Sequence, residues 1–222
     1  MAKVLFVAAH PDDETLGCGG TILRHKAAGD FISWLIISNI DTSNGWKQEV
    51  VETRQQEIET VAGMYGFNKM FKLDFPTTRL DTLPMCDVIK SVSQVLNDIT
   101  PEIIYVPNRS DVHTDHQITF QAVYSCTKNF RLPSVKRMLM YETLSETDFL
   151  APFQEAAFVP NVFVDVSSYF AKKLEIMQQY PSELMKSPLP RSLTTLDALG
   201  RYRGSRIGVQ YAEAFMLIEE IV

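Results

Sequence analysis

Cysteine is scarce in this chain, and its distribution excludes several kinds of site. The three cysteines, Cys18, Cys86 and Cys126, are odd in number and widely spaced along the 222 residues. Such spacing fits neither a disulfide framework nor the paired-cysteine motifs that hold structural zinc. We therefore expect reduced thiols that are mostly buried.

Basic residues are outnumbered by acidic ones. The chain has 21 lysine and arginine residues against 27 aspartate and glutamate residues, so its formal net charge is −6. Nucleic-acid-binding domains normally carry a basic patch or stripe, and we therefore expect no nucleic-acid partner. The charge balance does not restrict small substrates, because those respond to the local field of a binding site.

Long hydrophobic runs are also absent. A membrane-spanning helix needs about 20 consecutive apolar residues, and no segment approaches that length. The apolar stretch at residues 3–9 ends at His10 and the acidic residues after it. A signal peptide would need a longer apolar region and a small-residue cleavage site. We interpret residues 3–9 as the first strand and expect a cytoplasmic protein without a membrane span.

The chain does contain a regular alternation of short apolar runs with amphipathic segments, which is typical of βα units in a mainly parallel sheet. Continuous apolar runs such as KVLFVAA and FISWLIIS are typical of strands covered on both faces. We predict one domain, 1–222, with a Rossmann-like three-layer α/β/α fold. The predicted strands are 3–9, 31–38, 70–75, 102–107, 137–142 and 162–166, and the predicted helices are 15–28, 47–65, 85–99, 114–128 and 167–180.

Two segments near the C-terminus are predicted to be irregular. The stretch 181–190 contains three prolines and is expected to be a loop. The basic cluster 201–206, RYRGSR, is interpreted as a solvated loop, with an anion-binding role or a subunit contact as alternatives.

The loop after the first predicted strand holds His10, Asp12, Asp13 and Glu14 within five residues. In open α/β sheets, ligands bind where loops leave the carboxyl ends of the strands. So many acidic groups are unfavourable together unless a cation or a helix N-terminus is near. Capping of the next helix would explain the acids but not His10, so this segment alone leaves a metal site and a capping role equally open.

A second loop, after the fourth predicted strand, favours the metal site. Its sequence NRSDVHTDH contains His113, Asp115 and His116, and thus two of the four histidines in the chain. Both loops would open onto the same edge of the sheet. Catalytic zinc sites typically use three nitrogen or oxygen ligands and leave one position open for water.

HPDDE after a first strand, followed by HTDH after a later one, resembles the LmbE-like, PIG-L-type family of zinc-dependent N-deacetylases. The resemblance extends over the whole chain, through GCGGTI, the pair Arg54 and Glu57, and the tail RYRGSRIGVQYAEAF. It implies an LmbE-like fold and removal of an acetyl group from an N-acetylglucosamine-containing molecule. Family substrates include phosphatidylinositol glycolipids and precursors of low-molecular-weight thiols.

The resemblance also implies a set of metal ligands. His10, Asp13 and His116 match the ligands of one Zn²⁺ per chain, and Fe²⁺ or Co²⁺ would suit the same donors. Asp12 matches the general base. A metal that lowers the pKa of water towards about 7 and polarises the amide carbonyl would act together with this carboxylate.

The remaining catalytic residues follow from the same resemblance. His113 matches a histidine that faces the substrate carbonyl, and Asp115 matches the acid that orients it. We expect Asp115 to raise the pKa of His113, so that a protonated ring stabilises the oxyanion. The chain departs from the family pattern at Thr114, where proline is usual, and at Thr78, where many relatives have aspartate.

Arg54 and Arg79 are candidate substrate-binding residues. Arg79 follows the third predicted strand and so faces the presumed site. For Arg54, an ion pair with Glu57 along the same helix is an equal alternative. We expect substrate specificity to reside in the loops after the second, third and fifth predicted strands and in the proline-rich stretch.

The sequence thus predicts a metal-dependent N-deacetylase acting on a small N-acetylated sugar conjugate. An amidohydrolase for another acylated small molecule is the alternative among enzymes. A non-catalytic metal-binding or sugar-binding module is a second alternative, which Asp12 disfavours because a structural zinc would need four protein ligands. The sequence is compatible with a homo-oligomer.

Overall fold

A seven-stranded sheet forms the centre of the computed structural model, which describes all residues from 1 to 222. Six α-helices pack on the two faces of this sheet. The strands are β1 (Lys3–Ala8), β2 (Phe31–Asn39), β3 (Lys69–Pro76), β4 (Ile103–Pro107), β5 (Arg137–Tyr141), β6 (Val162–Asp165) and β7 (Ala212–Glu220). The helices are α1 (Asp13–Ala27), α2 (Gln48–Tyr65), α3 (Met85–Ile99), α4 (Thr114–Cys126), α5 (Phe170–Met177) and α6 (Leu193–Ser205).

The strand order β3-β2-β1-β4-β5-β7-β6 creates a topological switch point in the sheet. Strands β1 to β5 pair in parallel, while β7 runs antiparallel to both of its neighbours. The chain leaves β1 towards β2 on one side and later leaves β4 towards β5 on the other. The loops after β1 and β4 therefore diverge and open a crevice at the carboxyl edge, where doubly wound sheets bind ligands.

Two hydrophobic cores cover the two faces of the sheet. Because side chains alternate along a strand, Phe6 belongs to one core and Leu5 to the other. The first core includes residues of α1, α2, α5 and α6, and the second includes residues of α3 and α4. The predicted three-layer α/β/α fold with a mainly parallel sheet is confirmed.

Helix α1 approaches the sheet closely because its first turns carry glycines. A Cβ atom added at Gly17 would overlap the ring of Tyr141, and one at Gly20 would lie 2.6 Å from Cβ of Val166. Larger side chains would push the helix outwards and displace the loop that precedes it. The GCGG segment thus brings the start of α1 against the sheet.

The C-terminal region differs from the expectation. Residues 193–205 form α6 and residues 212–220 form β7, and neither element was predicted. The basic cluster 201–206 is therefore mostly helical, and the interpretation as a solvated loop is wrong. Arg203 within it forms two hydrogen bonds with the carboxylate of Glu142, at 2.8 and 2.6 Å. Helix α6 begins at a cap, since the Ser192 side chain accepts from the backbone N–H of Thr195.

The expectation for the cysteines holds only in part. Cys18 is buried in the first core, Cys126 is half-buried and Cys86 is exposed, and all three are free thiols. As for membranes, none of the helices combines the length and the apolar character that crossing a bilayer requires.

Candidate active site

His10, Asp13 and His116 meet at the switch point of the sheet. His10 follows β1 and precedes the turn at residues 11–12, Asp13 begins α1, and His116 lies in the first turn of α4. Their ligand atoms all lie within 4.8 Å of one another. Asp13 stands between the two rings, with Oδ1 3.2 Å from His116 Nε2 and Oδ2 3.7 Å from His10 Nδ1. The fold therefore brings together the three predicted ligands.

Two buried carboxylates orient the two imidazole rings. Asp111 Oδ2 accepts from His116 Nδ1 at 2.9 Å, and Asp115 Oδ2 accepts from His10 Nε2 at 3.0 Å. Each bond fixes one ring nitrogen as a donor and leaves the other nitrogen directed towards Asp13. Metal-binding histidines commonly have such a carboxylate partner, which fixes the tautomer and the orientation of the ring.

Asp111 was missed in the sequence analysis, although it lies in the loop that carries His116. It is fully buried, and its Oδ1 accepts from Asn108 Nδ2 at 2.9 Å and from the Thr147 hydroxyl at 2.7 Å. The signal available in the sequence was an acid in the same loop as a predicted histidine ligand. What the sequence does not show is which of the two acids in that loop contacts which ring.

The donor set fits a divalent cation of the zinc type. Two imidazole nitrogens and one carboxylate oxygen are the usual ligands of a catalytic zinc site, which keeps a further position open. Burial acts to raise the pKa of Asp13, but the neighbouring His116 outweighs this effect and lowers that pKa below its ordinary value. Asp13 is thus held in the ionised form that metal binding needs.

Asp12 lies beside this cluster but is not part of it. It is 3% exposed, and its Oδ2 has no hydrogen-bond partner within the protein. Its φ of 130° lies in a region that side chains rarely adopt, and such strain is typical of functional sites. Burial, followed by the charges of Asp13 and Glu183, raises the pKa of Asp12 well above its ordinary value.

His113 caps α4 and lines the cleft beside His10. Its Nδ1 accepts from the backbone N–H of Asp115 at 3.1 Å, and the ring centroids of His113 and His10 are 4.5 Å apart. Burial, followed by the charges of His10 and His116, lowers the pKa of His113 to about 4. The charge of Asp115 acts to raise this pKa, as expected, but burial and the two neighbouring histidines outweigh it.

The predicted pairing of Asp115 with the His113 ring is also corrected. The Asp115 carboxylate contacts His10 and accepts from the backbone N–H groups of Thr78 and Leu80, at 2.7 and 3.1 Å. The one hydrogen bond between Asp115 and the His113 ring comes from the backbone N–H of Asp115. The bonds from Thr78 and Leu80 hold the Asp115 carboxylate against His10.

The two candidate arginines occupy different places. Arg54 lines the cleft, donates to the carbonyl oxygen of Pro11 at 2.9 Å, and pairs with Glu183 and with Glu57, the latter at 3.4 Å. The alternative ion pair with Glu57 is thus present. Arg79 is exposed and lines a neighbouring hollow instead of the cleft that contains His10 and Asp13.

A third arginine, Arg191, reaches the cleft from the segment before α6. Its Nη1 lies 3.0 Å from Glu183 Oε2 and 3.8 Å from Asp12 Oδ2. Its Nε is buried and has no partner within the protein. The sequence offered no signal for Arg191, because nothing local connects it with residues more than 170 positions away.

The cleft has a volume of about 460 Å³ and is lined mainly by polar residues. The loops after β1 to β5 all contribute to it, as does the proline-rich stretch, so every region expected to determine specificity lies at its wall. Beyond the residues described above, the lining includes Leu16, Ser38, Asn39, Ile40, Trp46, Val50, Thr77, Thr78, Thr143, Ser145, Glu146 and Ser182.

A cleft at the switch point of a doubly wound sheet, with two histidines and a carboxylate around one point, defines an α/β protein with a candidate metal centre. The family described as GlcNAc-PI de-N-acetylase (PIG-L) matches residues 5–127, and the chain belongs to this LmbE-like family. The matched residues contain both loops that form the centre.

Relatives found by sequence include two deacetylases. The uncharacterized deacetylase YaiS of Escherichia coli is 27% identical over 185 residues, which cover 81% of this chain and 90% of the relative. Diacetylchitobiose deacetylase of Thermococcus kodakarensis is 26% identical over 226 residues, which cover 99% of this chain and 84% of the relative.

Solved structures that share the fold over the whole chain include the following two. The conserved protein TT1542 from Thermus thermophilus has a TM-score of 0.79 at 26% identity, covering 100% of this chain and 97% of that structure. A 4-carboxy-2-hydroxymuconate hydratase from Pseudomonas putida has a TM-score of 0.76 at 17% identity, covering 100% and 98%. The second likeness concerns the fold alone, and it shows that this fold serves more than one reaction.

Proposed function

We propose that this chain is a zinc-dependent N-deacetylase that hydrolyses the acetamide of an N-acetylglucosamine-type sugar conjugate. The observation that carries the proposal is that the buried Oδ2 of Asp12, beside the cluster of His10, Asp13 and His116, has no hydrogen-bond partner within the protein. A free carboxylate oxygen next to a three-donor cluster is what a hydrolytic site needs, and a structural metal site does not need it. Family membership and the diacetylchitobiose deacetylase relative support the choice of substrate.

The metal would be held by His10, Asp13 and His116, with Fe²⁺ or Co²⁺ as substitutes for zinc. When bound, it would polarise the amide carbonyl and lower the pKa of a water molecule. Asp111 and Asp115 hold the two rings in the orientation that directs one nitrogen of each towards Asp13.

Asp12 is assigned the role of general base and then of general acid. Its free Oδ2 accepts a proton from the attacking water and returns a proton to the amide nitrogen as the C–N bond breaks. The products are then acetate and a primary amine. Asp12 lies in a strained turn between His10 and Asp13 in the sequence. The backbone of this turn therefore sets the distance between the Asp12 carboxylate and the metal.

His113 is assigned to stabilise the oxyanion as a neutral donor. Because its Nδ1 accepts a backbone hydrogen bond, the ring proton lies on Nε2. A donor that is fixed in a partly buried site stabilises the negative charge that develops on the carbonyl oxygen. This role replaces the protonated ring that the sequence suggested.

Arg191 is assigned to bind the sugar, together with Arg54 as a supporting residue. The buried Nε of Arg191 offers a donor for a sugar hydroxyl, while the guanidinium of Arg54 is already engaged by Pro11, Glu183 and Glu57. A buried donor that only the correct substrate satisfies also contributes to specificity, since an analogue without the hydroxyl leaves it unpaired.

The proposal is tested by measuring release of primary amine from a panel of N-acetylglucosamine conjugates, with and without a chelator. We expect release that the chelator abolishes and zinc restores. Asp12→Asn should keep the metal and lose turnover, whereas His116→Ala should lose both.

Three results would contradict parts of the proposal. Metal-loaded protein that releases no amine from any conjugate would refute the deacetylase function. Near-normal turnover in metal-loaded Asp12→Asn would refute the assignment of the base. Equal turnover of acetamides that lack a sugar would favour a broader amidohydrolase.

A further inference from the structure

A second cavity, of about 570 Å³, lies next to the cleft that holds the metal ligands. The loop after β5 separates the two spaces. Ser145 and Glu146 of this loop line the cleft, Leu144 and Thr147 line the second cavity, and Thr143 lines both. Thr143 is therefore part of the wall of both spaces.

The lining of the second cavity is mainly apolar. It includes Leu144, Leu150, Phe153, Phe158 and Leu199, and Phe153 is 61% exposed at its mouth. Exposed aromatic side chains around a concave space are typical of ligand-binding sites.

The charged residues of this lining do not favour an ionic ligand. Glu142 and Arg203 neutralise each other through two hydrogen bonds, and Asp148 lies at the exposed rim. An anionic group would have to displace Glu142 from Arg203, and a cationic group would have to displace Arg203. The cavity therefore suits an uncharged, apolar group.

Thr143 provides a separate observation at the junction. The residue is 2% exposed, yet its hydroxyl has no hydrogen-bond partner within the protein. Buried hydroxyl groups are normally paired, because an unpaired one costs free energy. Because Thr143 belongs to the wall of both spaces, its unpaired hydroxyl is a candidate partner for an oxygen of a ligand that spans them.

We propose that the second cavity binds an apolar aglycone, alkyl or aromatic, of the amino-sugar conjugate, an inference that rests on the proposed deacetylase function. The acetamide lies at the metal ligands, the linking oxygen lies at the Thr143 hydroxyl, and the aglycone packs against Leu144, Phe153 and Leu199. The preferred substrate is thus a glycoside with an uncharged apolar group, in contrast to a free sugar.

The experiment compares the methyl and hexyl glycosides of N-acetylglucosamine, in both anomers, with metal-loaded protein. Binding is measured by calorimetry and turnover by amine release. A hexyl chain adds five methylene groups, and burial of half of them predicts at least about tenfold tighter binding and a similar gain in kcat/KM. The methyl glycoside serves as the reference that occupies the cleft alone.

Two variants alter the second cavity without touching the metal ligands. Ala157→Trp fills its exposed mouth and Phe153→Ala removes part of its wall, and both should bring the ratio of hexyl to methyl affinities close to one. The matched control is Phe149→Ala, because Phe149 is also 61% exposed but does not line the cavity. The control should keep the wild-type ratio.

Thr143→Val tests the junction while conserving the shape of the side chain. We expect kcat/KM for the hexyl glycoside to fall about three- to tenfold, the usual effect of losing one hydrogen bond. The thermal midpoint should not fall, since the hydroxyl has no partner to lose. A lower midpoint with unchanged kinetics would show that the hydroxyl serves the fold only.

The possible outcomes separate this inference from the proposed function. Turnover of both glycosides with equal affinity would refute the aglycone site and leave the deacetylase intact. Tighter binding of the hexyl glycoside that Ala157→Trp abolishes, without any turnover, would support the cavity and refute the deacetylase. A preference for the hexyl glycoside that persists in both cavity variants would show that the hexyl group binds elsewhere and would overturn the inference.

Discussion

Replacement of Asp111 by asparagine should weaken metal binding without preventing it. Asp111 contacts no substrate in the proposed function, yet its Oδ2 accepts from His116 Nδ1 at 2.9 Å inside a fully buried site. Asparagine has nearly the same shape, but it removes the negative charge from this bond and presents an amide to Asn108 and Thr147. The variant thus alters the orientation and basicity of His116 while retaining all three predicted ligands.

The size of the effect follows from this one hydrogen bond. A hydrogen bond to a charged group contributes about 1.5–3 kcal/mol, which corresponds to roughly a 10- to 150-fold change in an equilibrium constant. Loss of a partner of a metal-binding histidine typically lowers metal affinity by about 10- to 100-fold. We therefore expect the zinc Kd of Asp111→Asn to rise by about 10- to 100-fold.

The assay is competition for zinc against a chromophoric chelator, followed by turnover at saturating zinc. Turnover should recover substantially once the site is loaded, because Asp111 positions a ligand and does not move a proton. Asp41→Asn is the matched control, since Asp41 is an exposed acid that accepts from the backbone of Ser43 and does not line the cleft. A zinc Kd within about threefold of the wild type in Asp111→Asn would refute the reasoning.

Three further predictions concern stability and substrate binding. Burial raises the pKa of Glu14 to about 7, so the folded chain keeps this proton to a higher pH than the unfolded chain does. As the pH rises from 4.5 to 7, the free energy of unfolding of the wild type should therefore fall relative to that of Glu14→Gln, by up to about 3 kcal/mol. A difference between the two proteins that stays constant over this pH range, measured by urea unfolding, would contradict the prediction. Gly20→Ala should lower the free energy of unfolding by about 1–3 kcal/mol because its Cβ would collide with the Val166 side chain. Gly63→Ala lies in a helix with open space around it and should raise the free energy of unfolding by about 0.5–1 kcal/mol. Equal shifts of the thermal midpoint in the two variants would refute the packing argument. Arg191→Ala should raise KM for the methyl glycoside by about tenfold or more because it removes a buried donor, while Arg79→Ala should leave KM unchanged. The reverse pattern in steady-state kinetics would show that the hollow lined by Arg79 binds the sugar.

Most strands and helices could be predicted because their signals are local. The helix Met85–Ile99 has the predicted bounds, and the first four strands differ from prediction by no more than one residue at either end. Apolar periodicity, proline and glycine act within one element, so they are readable without knowledge of its neighbours. Helix α6 and strand β7 were not predicted. For β7 the reason is that it depends on pairing with β5 and β6, which are distant in sequence.

That the three candidate metal ligands lie together could be predicted for a similar reason. Each lies in the loop after a parallel strand or in the first turn of the helix that follows, and the carboxyl ends of parallel strands share one edge of the sheet. His10 and His116 are 106 positions apart, yet the alternation of strands and helices already places their loops together. The motif spacing and the family resemblance then separate the ligands from the other acids of the same loops.

The sequence by itself determined the α/β class, the two loops that form the centre and the residue types that can bind a metal, because these depend on local pattern and on strand direction. Only the tertiary structure decided that Asp115 pairs with His10, that Asp111 holds His116, that Arg191 reaches Asp12, and that Thr143 lines two cavities. Such contacts depend on where side chains from distant elements point after packing. A difference of one rotamer or a small shift of a loop changes the partner, and no local pattern records that choice.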